Sequence, residues 1–247
     1  HKARHLFGVA LHLLVSGGPP QELAIASCGN AALAAAVIAR ALGWPLRVFI
    51  PTDAPERVVE RLYELRATVQ VCPRDPEVPG DPTYRAFREA VATGSLPFCC
   101  QGPDNGLTVE GGMTLGYRWA EYWPASGQVP DHLLVQVGGG ALGSALGAAL
   151  REAHAAGCIP RLPRIHVVQT HGAWPMKRAL ERLDAADTTV HAAAQARSGF
   201  MWPWETPPRS LAHGILDDET YDWAALAEHV RATDGRALLA AEPRFEC

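Results

Sequence analysis

The stretch LLVQVGGGALGSALGAAL, residues 133–150, runs from an apolar strand pattern through Gly138, Gly139 and Gly140 into an alanine-rich helix pattern. Bare backbone at a strand-to-helix turn lets main-chain N–H groups approach phosphate oxygens, and the helix start adds the positive end of its dipole. The residues fit Gly138-x-Gly140-x-x-Gly143, yet a dinucleotide site also wants a carboxylate at the end of the next strand to hold the ribose. That strand closes on Gln169-Thr170-His171 without one, and the unit comes fifth along the chain rather than first. An anion remains as the reading, with close helix–strand packing as the alternative. A second turn of this kind lies upstream in ELAIASCGNAALAAAVIARALG, where Ser27, Cys28, Gly29 and Asn30 stand at a strand end and converge on one point. Capping alone accounts for Ser27 or Asn30 taken singly. Cys28 is a candidate nucleophile at a helix start, but no Gly-x-Ser-x-Gly elbow is present and no histidine is tied to it by spacing. The third piece is Lys2, at the head of the amphipathic run HKARHLFGVALHLL. Taken alone, a lysine there is ordinarily a solvated charge.

Apolar runs rich in β-branched residues alternate with segments of helical period, the pattern of a mostly parallel sheet covered by helices. Strands are predicted near 23–26, 46–50, 68–72, 98–101, 133–137 and 165–169. Helices are predicted near 31–42, 55–65, 83–93, 109–122, 142–156 and 176–183. SGGPPQE at 16–22 and QGPDNG at 101–106 mark candidate crossings between domains. Residues 198–214 read as an ordered loop whose Trp202 and Trp204 either line a pocket or bury a satellite cluster. DDETYDWAALAEHV reads as a further helix, with Asp217 or Asp218 at its N-cap.

With 247 residues, 48% hydrophobic and 19% charged, the chain is long enough for one large or two modest domains. A net charge of −4 argues against nucleic acid as a partner. No apolar run approaches the roughly 18 residues of a membrane span, and the opening segment makes a poor signal peptide. Six cysteines, none in Cys-x-x-Cys spacing, read as reduced cytosolic thiols, and ten scattered histidines, of which only His5 and His12 share a helical face, point to no metal site. The chain opens on His1-Lys2 and closes on EPRFEC just after a strand-like run, which suggests a fragment clipped at both ends.

Lys2 within HKARH, Asn30 within SCGNAALAAA, and the VGGGALGSAL turn follow one another in an order that resembles fold-type II pyridoxal-phosphate enzymes: the tryptophan synthase β-subunit, threonine synthase, cysteine synthase and serine/threonine dehydratase superfamily. The resemblance runs from residue 1 to about 183, with Glu110-Gly111 and Thr114 similar to the helix leading back into the larger domain. It implies two three-layer α/β/α open twisted-sheet domains. Residues 1–16 would begin the larger cofactor domain, 17–105 would form the smaller one, and 106–247 would continue the larger. It also implies that Lys2 bonds covalently to the cofactor aldehyde, which an amine can do once neutral, with Arg4 a bystander. Asn30 would hydrogen-bond the ring hydroxyl oxygen. Ser27, Cys28, Gly29, Asn30 and Ala31 would hold the substrate carboxylate, and Gly138, Gly139, Gly140, Ala141 and Leu142 would wrap the phosphate. A phosphate monoester needs no ribose carboxylate.

The reaction implied is elimination or replacement on an amino acid. Ala31 after the asparagine is similar to threonine synthase-like members, whereas cysteine synthases carry Thr and many dehydratases His. Cys28 departs from the usual Ser, Thr or Ala, and the partner of the ring nitrogen has no matching motif. Serine/threonine dehydratase or cysteine synthase-like activity is the near alternative; a nicotinamide-dependent oxidoreductase and a non-catalytic binding domain are the distant ones. A cytoplasmic homodimer is the expected assembly.

Overall fold

Leu6, Val9 and Ala10 recur at helical spacing and are buried together, so Lys2–Ser16 forms an amphipathic helix, α1. It stops at Gly17, whose φ of 68° only glycine adopts readily and whose N–H returns to the Leu14 carbonyl. The computed structural model describes residues 1–241 and divides into two compact units, His1–Gly112 and the chain from Met113 onward.

In the first unit, β1 (Leu23–Ala26), α2 (Asn30–Leu42), β2 (Leu46–Ile50), α3 (Glu56–Glu64), β3 (Thr68–Val71), α4 (Pro82–Ala92) and β4 (Leu96–Pro97) alternate along the chain. The four strands are parallel in the order β3-β2-β1-β4, with Leu23 opposite both Leu46 and Leu96. Central β1 is apolar throughout, LAIA, as a strand covered on both faces must be. Helix α2 turns five alanines inward, at 31, 32, 35, 36 and 39, and packs against α1. A 20-residue helix, α5 (Leu107–Ser126), then carries the chain into the second unit.

The second unit contains β5 (His132–Gln136), α6 (Ala141–Ala155), β6 (Arg164–Thr170), α7 (Pro175–Ala185), α8 (Val190–Gln195), α9 (Trp223–Ala232) and β7 (Ala237–Ala240). Its strands are parallel in the order β5-β6-β7. Val135, Ile165, Val167, Met176, Leu183, Trp223 and Leu226 form the heart of its core. The fold is therefore α/β with parallel sheets, as the alternation of strand and helix patterns predicts.

Three local expectations are corrected. The strand expected at 98–101 lies at Leu96–Pro97; Phe98 N–H still donates to Ala24 O at 2.8 Å, after which Cys99 and Cys100 turn inward to begin the QGPDNG bend. The last α-helix begins at Trp223 rather than at 217 or 218, with Asp222 at its N-cap position, because residues 217–222 are engaged with the glycine turn instead. Helix α8 has no counterpart among the predicted elements; at six residues it is shorter than a periodic pattern can reveal, and the Thr189 side chain caps it.

No helix among the described residues is long and apolar enough to cross a membrane. Among the described residues, Cys28, Cys72, Cys99, Cys100 and Cys158 form no disulfide, while Cys247 lies outside the described residues.

Candidate active site

The glycine turn joins the carboxyl end of β5 to the start of α6. Gly140, with a φ of 94°, is the N-cap and gives no side-chain cap. Among the described residues, no backbone N–H from Gly138 through Gly143 donates to a protein acceptor. The carbonyls on the same turn are occupied: Gly138 O accepts the Thr220 hydroxyl at 2.9 Å and Gly139 O accepts Asp222 N–H at 2.9 Å. Donors left open beside acceptors already filled, at a helix start, form a cradle suited to an anion with several oxygens. Side chains would not fit. A Cβ on Gly138 would strike Asp217, one on Gly139 would lie 3.1 Å from the Tyr221 ring, and one on Gly140 would lie 3.0 Å from Thr220. Farther along α6, Gly143 and Gly147 admit Leu226 and His229 of α9, so close packing and the open cradle are both present in one motif.

Gln169, at the position where a dinucleotide site carries its ribose-binding carboxylate, is 1% exposed and hydrogen-bonded through both ends of its amide. Its Nε2 donates to Val137 O at 3.2 Å, and its Oε1 accepts from Met176 N–H at 3.0 Å and Lys177 N–H at 3.1 Å. A carboxylate could not donate to Val137 O, so the amide is what ties the entrance of the glycine turn to the start of α7.

In the first unit, Ser27, Cys28 and Gly29 form the turn from β1 into α2 and are half-buried. Asn30 is the first residue of α2 and exposed; Ala31 is buried behind it. Capping does not account for these polar residues. The N-cap is Gly29, which has no side chain to cap the helix with, and among the described residues Ser27 Oγ accepts from Gly29 N–H alone, at 3.4 Å. The N–H groups of Asn30, Ala31 and Ala32 have no protein acceptor among the described residues. This is a second open helix start, here flanked by a hydroxyl, a thiol and an amide.

Lys2 is the first residue of α1 and half-buried. The helix that carries it is pinned at a point one turn further on. His5, 1% exposed, directs Nδ1 to Thr108 O at 2.8 Å. A carbonyl can only accept, so the ring is the Nδ1–H tautomer, and its Nε2 is buried with no partner among the described residues. Burial pushes the imidazole pKa down to about 4; the Thr108 bond opposes this and the Lys2 charge adds to it. Alongside, Gly8 and Gly111 meet so closely that a Cβ on Gly8 would lie 2.6 Å from Gly111 Cα. The chain has one other lysine. Lys177 pairs its amine with Glu181 and lies over the Trp174 ring at 5.5 Å.

The parts that His5, Gln169, Thr220 and Asp222 play are not visible in the sequence pattern. A histidine on the apolar face of α1 was the one available signal; nothing in DDETYD distinguishes Thr220. Trp202 and Trp204 stack on Arg178, at 3.7 and 4.9 Å, and Trp174 meets Trp204 edge-on, which makes the loop tryptophans a satellite cluster around a half-buried guanidinium. A cavity of about 530 Å³ lies between α5 and the far end of α6, lined by Tyr117, Ala120, Pro124, Ala153 and Cys158. It is at the opposite end of α6 from the glycine turn. Among the described residues no group of three or more His, Cys, Asp or Glu side chains is placed to hold a metal ion.

The chain is similar to a T.th. threonine deaminase, with a TM-score of 0.70 and 24% identity over 98% of this chain and 67% of that one. It is also similar to maize serine racemase (TM-score 0.67, 18% identity, 97% of this chain and 62% of that one). A third is the diaminopropionate ammonia lyase from Escherichia coli, solved in complex with an aminoacrylate-PLP azomethine reaction intermediate (TM-score 0.65, 15% identity, 92% and 55%). The chain thus spans 55–67% of the length of these structures, and at such identities the likeness establishes the fold. No curated protein matches the sequence. The sequence itself matches the model of one family, described as "Pyridoxal-phosphate dependent enzyme", over residues 1–242. The chain therefore belongs to the pyridoxal-phosphate dependent enzymes, and its cofactor is pyridoxal phosphate.

Proposed function

We propose that this protein is a lyase of amino-acid metabolism that eliminates or replaces a substituent on its substrate, with Lys2 as the catalytic residue. The observation that carries the reading is the row of amide donors from Gly138 to Leu142 that meet no acceptor among the described residues, in a chain of this family. When bound, the cofactor supplies an electron sink for the charge left at the substrate Cα. Lys2 Nζ holds the cofactor between turnovers and then, as a free amine, takes the Cα proton. Asn30 orients the cofactor ring through its hydroxyl oxygen. Ser27, Cys28 and Gly29, with the open N–H groups of Asn30 and Ala31, hold the substrate carboxylate, and this sets which Cα bond stands against the ring plane. Gly138, Gly139, Gly140, Ala141 and Leu142 hold the phosphate. Residues 1–16 and 106–247 would make up the larger cofactor domain and 17–105 the smaller one; the packing of α1 on the start of α5, through His5–Thr108 and Gly8–Gly111, lies within the first compact unit.

Ala31 favours a threonine synthase-like reaction, in which O-phosphohomoserine and water give threonine and phosphate. Dehydration of serine or threonine is the second reading, favoured by threonine deaminases among the similar structures. A homodimer in the cytoplasm completes the proposal. The test is a panel of O-phosphohomoserine, serine, threonine and O-acetylserine with product analysis. Threonine plus phosphate from the first supports the primary reading; a 2-oxo acid plus ammonia from serine or threonine supports the second. Cofactor binding without turnover of any of the four would contradict both and leave a non-catalytic domain.

A further inference from the structure

Residues 215–222 are not a passive link into α9. Thr220 is 0% exposed, and its hydroxyl donates to Gly138 O at 2.9 Å while its methyl group packs beneath Gly140. Two residues later Asp222 N–H donates to Gly139 O at 2.9 Å, and α9 follows at once, with Leu226 set into the gap left by Gly143. Each peptide plane carries its C=O and the next N–H on opposite sides. Holding Gly138 O and Gly139 O on the strap therefore turns the N–H groups of Gly139 and Gly140 to the other side, where no acceptor among the described residues meets them. Glycine peptides rotate more freely than any others, so without these two bonds the turn would sample many orientations and the cradle would have to be ordered each time an anion bound.

We propose that Thr220 is a positioning residue for the cofactor phosphate: its hydroxyl fixes the Gly138–Gly139 peptide so that the amide cradle is formed before the ligand arrives. This rests on the phosphate assignment of the preceding section, and the test separates the two. Binding of pyridoxal phosphate and of pyridoxal, its form without phosphate, is measured by tryptophan fluorescence on the full chain for wild type, Thr220→Val and Thr220→Ser. Valine keeps the shape and removes the donor. It should weaken pyridoxal phosphate binding by about 10-fold, the typical effect of one buried hydrogen bond, and leave pyridoxal binding unchanged, with serine restoring the loss. Equal losses for both ligands, or no loss for either, would overturn the proposal. Failure of the wild type to prefer pyridoxal phosphate over pyridoxal would overturn the phosphate assignment itself. Should the valine variant not fold, hydrogen exchange on cofactor-free wild type decides the matter: the Asp222 amide should be protected, and exchange as fast as that of an exposed loop amide would show that the strap is not seated on the turn.

Discussion

His5 and His229 are the residues whose chemistry is most altered by their surroundings. Both are buried, and desolvation pushes each from 6.5 down to about 4, aided by the Lys2 charge at His5 and by Arg151 at His229. The unfolded chain therefore binds protons below pH 6.5 that the folded chain refuses until about pH 4, so stability falls as pH falls through that window. Each histidine contributes a slope of about 1.4 kcal/mol per pH unit there, and about 3 kcal/mol in all. Urea unfolding at pH 7.5, 6 and 5 should show a steady loss, and His5→Asn should be less stable at pH 7.5 yet have the shallower pH slope. An unchanged slope would mean that His5 is not buried neutral. The sequence marks His5 and His12 as sharing a face of α1, but it does not distinguish them. In the fold His12 reaches Glu110 at 2.9 Å in solvent, while His5 turns to Thr108 inside. The deciding partners are 98 and 103 residues away in the chain, and local pattern carries no information at that range.

Elements were more legible than residues. A strand needs only a short apolar run and a helix only its period, both local, so β1, β2 and α2 fall within a residue of their predicted bounds. What local pattern missed was set by tertiary demand: the late start of α9, because Thr220 and Asp222 are committed to the glycine turn, and β4, shortened at Pro97 where Asn105 Nδ2 claims the carbonyl at 2.7 Å. Glycines inside the predicted helices carry no local sign of the clearance they give to a neighbouring helix. A Cβ on Gly111 would meet the carbonyls of Arg4 and His5, backbone atoms that cannot step aside. Gly111→Ala should therefore force α1 away from α5 and destabilise the protein by about 1–3 kcal/mol. Because α1 carries Lys2, the variant should also lose cofactor affinity, measurable by equilibrium dialysis. Wild-type stability in Gly111→Ala would show that the two helices do not touch as described.

At the scale of the whole molecule, the chain places one open helix start at the end of a strand in each of its two sheets, after β1 and after β5. Parallel α/β sheets gather their loops at the carboxyl ends of the strands, which is where ligands of such sheets bind. A net charge of −4 and 48% hydrophobic residues fit a small anionic ligand held by main-chain amides rather than by a basic surface. The order of Lys2, Asn30 and the glycine turn along the chain was readable at once because each depends on residue type. The Thr220–Asp222 strap was not, because it acts through its effect on another segment's peptide planes. The chain's two lysines make the central claim open to a direct measurement. Protein loaded with pyridoxal phosphate is reduced with borohydride, digested, and its lysine peptides are weighed. The cofactor's added mass should appear on the peptide containing Lys2 and not on that containing Lys177; label on Lys177, or on neither, would mean that Lys2 does not hold the cofactor.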